Sequence, residues 1–187
     1  MGDRRQLAPR EHDGLVALAA DGDRGARGEL YRVHAETIAR HLCALVGDPR
    51  LAEDLTHDVF VTAFASLASY DARVPIGAWL HGIAVNHARN HRRRSGRRTR
   101  LWQRLRGRGD DHGDGPDAVI AGHELATRLY RALDELDDAR REAFVLRVIE
   151  QLSLEDAARV LGVPAKTLSK RARAAERHVR ARLEAGR

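Results

Sequence analysis

Six polar or cationic side chains crowd into eight positions near the C-terminus: Lys166, Thr167, Ser169, Lys170, Arg171 and Arg173. They form no nucleophile–base pair and no metal-ligand set. What they offer is hydrogen bonding to phosphate oxygens and to base edges. A second group, Asn86, Arg89, Asn90 and Arg93, is spaced to share one face of a helix, with Arg92 and Arg94 extending its charge. Asn can bond a base edge, and Arg can bond phosphate or guanine, although a solvated polar face has the same spacing. Asp54 and Asp58 form a third group. Paired carboxylates can do acid–base work or bind metal, but no His–carboxylate set converges on these two, so a face for a protein partner or for water is the better reading. His87 and His91 lie one turn apart, as metal ligands on a helix do, yet no Glu follows His87 and the metalloprotease pattern is absent. Neither catalysis, nor a cofactor, nor a metal is expected.

The elements that must position these groups are helices. Ser153 can cap a helix, with Asp156 where a capping-box partner sits. Ala158 is small, as a close helix crossing requires. Gly162 can take the left-handed conformation that ends the first helix. Val163 is pushed from helical geometry by Pro164, which suits the entry to a second helix. Leu168 turns inward and leaves the polar and basic residues outside. This is the layout of a helix-turn-helix whose second helix fits the major groove; an ordinary helical hairpin on a basic surface shares the spacing. Upstream, Leu30, Val33, Ile38, Leu42 and Leu45 make one apolar stripe, broken at Gly47-Asp48-Pro49. Leu51, Leu55, Val59, Ala63 and Leu67 make a second. A third helix is expected from Ile76 to about Arg94, with Leu80, Ile83, Ala84 and His87 inward and Trp79 in core packing. Leu125, Leu129, Leu133 and Leu136 form a further stripe, and Phe144, Val145, Val148 and Ile149 another. No alternating strand pattern and no internal repeat is found. The expected fold is all-α: two small helical domains, 12–94 and 118–185, joined by a flexible linker, 95–117, that is arginine-rich first and acidic and breaker-rich afterwards.

Composition narrows the partners. Of 187 residues, 43% are apolar and only 4% aromatic, so the cores must rest on Leu, Val, Ile and Ala. The net charge of +6 suits a polyanion, nucleic acid before anionic membrane. Lys166 and Lys170 are the only lysines, and both fall in the proposed second helix. Cys43 is the only cysteine, which excludes an intrachain disulfide and a cysteine-based zinc site. No apolar run approaches the roughly twenty residues that span a bilayer, and the N-terminus lacks a signal peptide's apolar stretch. A cytoplasmic location without membrane insertion is the expectation.

Two separated motifs coincide with one family. Residues 50–94 resemble region 2 of bacterial RNA polymerase sigma factors, through Ala52-Glu53-Asp54-Leu55-Thr56-His57-Asp58-Val59-Phe60, Tyr70-Asp71, Trp79-Leu80-His81-Gly82-Ile83-Ala84-Val85-Asn86 and the arginines that follow. Residues 125–183 resemble region 4, through Leu133 to Leu136, Arg141-Glu142-Ala143-Phe144 and Leu154 to Arg173. The spacing resembles the extracytoplasmic-function (ECF) group of the sigma-70 family. The resemblance implies that Asp54, Leu55, Asp58 and Phe60 bind the β′ clamp helices of core RNA polymerase. It implies that Arg73, Asn86, Arg89, Asn90 and Arg93 recognise the −10 element and its opened strand. Lys166, Thr167, Ser169, Lys170, Arg171 and Arg173 then read the −35 element of promoter DNA, with the β flap as a further polymerase contact and an anti-sigma factor as a regulator. The acidic linker segment is expected to mimic nucleic acid within the polymerase cleft. The chain departs from the family at His57 (usually Gln), at Val74-Pro75-Ile76-Gly77, at the Ser169-Lys170 order and at Ala172. The alternative is a stand-alone helix-turn-helix regulator, which needs a dimer seam and a palindromic site; residues 12–94 show no such seam.

Overall fold

The computed structural model describes residues 9–105 and 122–185. All regular structure among them is helical: α1 (Pro9–Ala20), α2 (Arg24–Val46), α3 (Pro49–Ser66), a single 3-10 turn (Leu67–Ser69), α4 (Ile76–Leu105), α5 (Gly122–Asp134), α6 (Asp138–Phe144), α7 (Leu154–Leu161) and α8 (Ala165–Ala185). The acidic half of the expected linker lies outside the described residues. Helix α4 runs past the Arg94 end expected for the third helix, to Leu105. Arginine and leucine both favour helix, so an arginine-rich stretch extends one as readily as it ends one.

Local chemistry sets the boundaries. Asp23 accepts the Ala26 N–H at 2.7 Å and starts α2. Gly47, at φ 77°, closes it by donating its N–H to Cys43 O at 2.8 Å. Asp48 then accepts from Arg50 N and Leu51 N, with Pro49 in the first turn, where a missing N–H costs nothing. Helices α1–α4 pack around Leu30, Ile38, Leu42, Val59, Leu80 and Ala84, all buried. Helices α5–α8 pack around Leu133, Phe144, Leu146, Leu161, Leu168 and Val179.

The stripe after α6 is displaced. Residues Val145–Ile149 form a π-helical turn in which Glu150 N donates to Val145 O at 2.9 Å. The wider ring shifts the helical register, so Leu146 is fully buried while Val148 is exposed. Gln151 follows at φ 54°, a left-handed conformation unusual for a side-chain-bearing residue. Together these features turn Glu150 back toward α2 and α4.

Ser153 starts α7 through a bond from Asp156 N to its hydroxyl at 3.0 Å, while that hydroxyl donates to the Asp156 carboxylate at 2.8 Å. Replacing Ser153 with Ala removes this cap. The expected loss is about 1 kcal/mol of unfolding free energy, read as a lower urea midpoint with an unchanged slope.

Candidate nucleic-acid interface

The helix-turn-helix is built by three local devices. Gly162, at φ 65° and ψ 36°, donates its N–H to the carbonyls at the end of α7, and Val163 N reaches Ala158 O at 3.1 Å. Pro164 O then accepts from Thr167 N at 2.9 Å and from Leu168 N at 3.1 Å, which launches α8. Leu168, Ala172, Ala175 and Val179 bury one stripe of α8 against the rest of the bundle. The opposite side presents Lys166, Lys170 and Arg173 exposed, with Thr167, Ser169 and Arg171 half-buried. No described residue pairs with Lys166, Lys170, Arg171 or Arg173, in contrast to Arg180, which bonds Glu176, and Arg182, which bonds Glu135. The result is a row of solvated cations on a helix held rigid by its buried face.

On α4, Asn86, Asn90 and Arg93 are exposed. Arg89 is different: its guanidinium donates two parallel bonds of 2.6 Å to both oxygens of Glu142 in α6. That pairing raises the Arg89 pKa further above its already high ordinary value. Arg92 pairs with Asp138 at the start of α6. Arg73 lies in the loop before α4 and bonds Asp71, whose carboxyl it holds below the usual range. His87 turns to α3, where its Nε2 lies 3.0 Å from the Thr62 hydroxyl. The indole of Trp79 packs edge-on against Tyr70 with ring centroids 5.3 Å apart, and the Tyr70 hydroxyl donates to Val74 O. Trp79 therefore sits in packing and braces the loop 71–75.

The α3 set divides in two. Asp54 and Asp58 are exposed, beside exposed Glu53 and His57. Leu55 and Phe60 are only 7% and 2% exposed and belong to the core, with Phe60 against the Tyr31 ring at 4.7 Å.

Several polar residues to which the sequence assigns no site role lie where α2 and α4 meet the segment from α6 to α7. Glu150 reaches between His41 of α2 and His81 of α4, at 3.9 and 3.7 Å, with all three side chains nearly or fully buried. Burial pushes the His41 imidazole well below its ordinary value, aided by His81, and lowers His81 to about 4. The same burial raises Glu150. Arg141, 2% exposed, donates to Leu45 O at 3.0 Å and pairs with Asp134 at 3.1 Å. A Cβ at Gly82 would lie 3.9 Å from Val160, so α4 and α7 approach closely. The seam between the two halves thus carries buried polar groups beside the apolar contacts of one continuous core. Nothing in the spacing of these residues could have revealed it, because the partners are far apart in the chain.

Comparison with known proteins agrees with this geometry. The family model for sigma-70 region 2 matches residues 30–98, and that for sigma-70 region 4 matches residues 126–179. The chain is 34% identical over 165 residues to the ECF RNA polymerase sigma factor SigE of Mycolicibacterium smegmatis, covering 86% of this chain and 64% of that protein. It is 30% identical over 178 residues to the RNA polymerase sigma factor CnrH of Cupriavidus metallidurans, covering 91% and 93%. The ECF RNA polymerase sigma factor SigD of Mycobacterium tuberculosis is 30% identical over 156 residues, with 80% and 73% covered. Among solved structures, CnrH in complex with the cytosolic domain of CnrY superposes with a TM-score of 0.68 at 28% identity, covering 91% of this chain and 96% of that one.

Proposed function

Because the chain belongs to the extracytoplasmic-function group of the sigma-70 family, we propose that it binds core RNA polymerase, directs it to promoters and acts without catalytic chemistry of its own. The observation that carries this reading is the row of unpaired cations on α8, set on a rigid helix-turn-helix. In this reading residues 12–94 engage the polymerase and the −10 element, residues 95–117 connect, and residues 118–185 read the −35 element as duplex. Arginine and lysine contacts to phosphate position the DNA, and a few side chains discriminate bases. Strand opening follows from capture of unstacked bases, with Asn86, Arg89, Asn90 and Arg93 as the contacts. The solved relative bound to the cytosolic domain of CnrY supports an anti-sigma partner for this chain as well. No described helix is long and apolar enough to cross a membrane.

The test is transcription of genomic DNA by core polymerase with and without the chain, followed by mapping of start sites. New start sites preceded by two shared elements are expected. Lys170→Ala and Arg173→Ala should each weaken initiation by about 1–3 kcal/mol in apparent promoter affinity, and should lose that penalty on templates with a scrambled upstream element. Tight duplex binding by the chain alone, with no new start sites, would establish the stand-alone regulator instead.

A further inference from the structure

Three ionisable side chains from three separate elements face one another in the interior. His41 of α2 is 0% exposed, and its ring lies 4.5 Å from that of His81 of α4. Neither His41 nitrogen has a hydrogen-bond partner among the described residues, nor has His81 Nδ1 or Glu150 Oε1. Glu150, from the turn after α6, approaches His41 Nδ1 and His81 Nε2 at 3.9 and 3.7 Å, outside normal hydrogen-bonding range. Burying polar groups without hydrogen bonds is unfavourable, and burying a charge without a partner far more so. The cluster is therefore held by the apolar packing around it, and it tolerates the imidazoles only while they are uncharged.

We propose that this cluster is a proton-operated joint: in acid, His41 and His81 take up protons that the buried site cannot hold, and the region 2 half parts from the region 4 half while each keeps its fold. This device works whether or not the chain directs polymerase to promoters. The charges around the cluster decide its behaviour. Glu150 supplies one negative charge for two imidazoles. His34 and Arg40, both of α2, also act on the cluster, and Arg40 brings positive charge toward His81 and Glu150. Helix α7 meets α4 at Gly82 but adds no counter-charge, because Asp156 bonds Ser153 and Arg159. In α6 Arg141 is tied to Leu45 O and Asp134, and in the turn after it Arg147 bonds Leu152 O. A first proton can be offset by Glu150. A second meets a like charge on the neighbouring ring at short range in a poorly solvated site, where repulsion is strong.

Burial keeps His41 well below the ordinary imidazole value of 6.5 and His81 at about 4. Parting the halves solvates both rings and returns them toward that ordinary value. Between pH 6.5 and about 4 the parted form therefore binds more protons, and docking weakens as the pH falls through that window. Each imidazole contributes up to about tenfold per pH unit. Glu150, raised by burial, acts in the opposite sense, and as a single group it takes back up to about tenfold. The net expectation is a ratio of parted to docked chain that rises about tenfold per pH unit.

The test is small-angle X-ray scattering of the full chain from about pH 7.5 to about pH 5, with helix content followed by circular dichroism. The radius of gyration should grow below about pH 6 while helix content stays constant. The His41→Phe/His81→Phe double variant, which keeps aromatic rings and removes both titrating groups, should keep the docked radius throughout. A wild-type radius that does not change with pH would overturn the joint. So would an equal rise in the double variant, which would place the acid response elsewhere, or a rise accompanied by loss of helix, which would mean unfolding. Should the double variant not fold, His81→Gln alone should reduce the pH dependence by up to about tenfold per pH unit, and a dependence equal to the wild type's would overturn the proposal.

Discussion

Leu168→Ala is expected to lower the unfolding free energy by about 2–5 kcal/mol and to abolish binding of duplex DNA carrying the upstream promoter element. Leu168 is 0% exposed and lies on the buried stripe of α8, directly between the residues offered to DNA. Truncation to Ala removes the buried methyl groups and leaves a cavity that the neighbouring helices fill only in part. The cost is a large fraction of a small domain's stability, which is roughly 5–15 kcal/mol in total. Lys166, Thr167, Ser169 and Lys170 flank Leu168 along α8, and their positions depend on how it is seated. Leu168→Met, which preserves volume, should cost less than about 1.5 kcal/mol and retain DNA binding. Urea titration together with duplex binding decides the matter. A wild-type midpoint for Leu168→Ala would mean that α8 is held by something other than its buried stripe.

The Asp54→Ala/Asp58→Ala double variant should fold as well as the wild type and bind core RNA polymerase about 100-fold less tightly, the loss typical of truncated charge pairs at interfaces. Both side chains are exposed, and they stand one turn apart on α3. Like charges at that spacing repel by a few tenths of a kcal/mol, so removing them is neutral or slightly stabilising. Pull-down with core polymerase and thermal melting should therefore move independently. Leu55→Ala and Phe60→Ala should behave in the opposite manner. They lie in the core, so any loss of polymerase binding would come with a lowered melting temperature. Wild-type polymerase affinity in the double aspartate variant would move the contact away from this face of α3.

How much of this was legible in the sequence depends on the range over which each feature is decided. The helix-turn-helix is a local object. Ser153 capping, Gly162 in the left-handed region, Pro164 at the helix entry and Leu168 turned inward all follow from rules that span fewer than two turns. The stripes Leu30 to Leu45 and Leu51 to Leu67 predicted α2 and α3 because a buried face repeats with the helical period. Phe60 shows the limit of that reasoning. It carries a motif position that the resemblance places on the polymerase-binding surface, while in the structure its ring packs against Tyr31 inside the core. Val148 shows another, since the π-helical turn shifts the register and leaves it exposed while Ile149 still packs against the core, and no period anticipates that.

The sequence by itself determined the all-helical class, the recognition helix and its cations, and the region 2 and region 4 motifs in order. Only the tertiary structure decided which charges are free. Arg89 and Arg173 look alike in the chain, and each sits on a basic helix near its exposed face. Arg173 meets solvent, whereas Arg89 meets Glu142, 53 residues away. The same holds for Glu150 between His41 and His81, and for Arg141 on the Leu45 carbonyl. The physical reason is that burial of an apolar face is written as a repeating pattern along one helix. The partner of a charge is set by where two helices meet, and no single helix carries a trace of that.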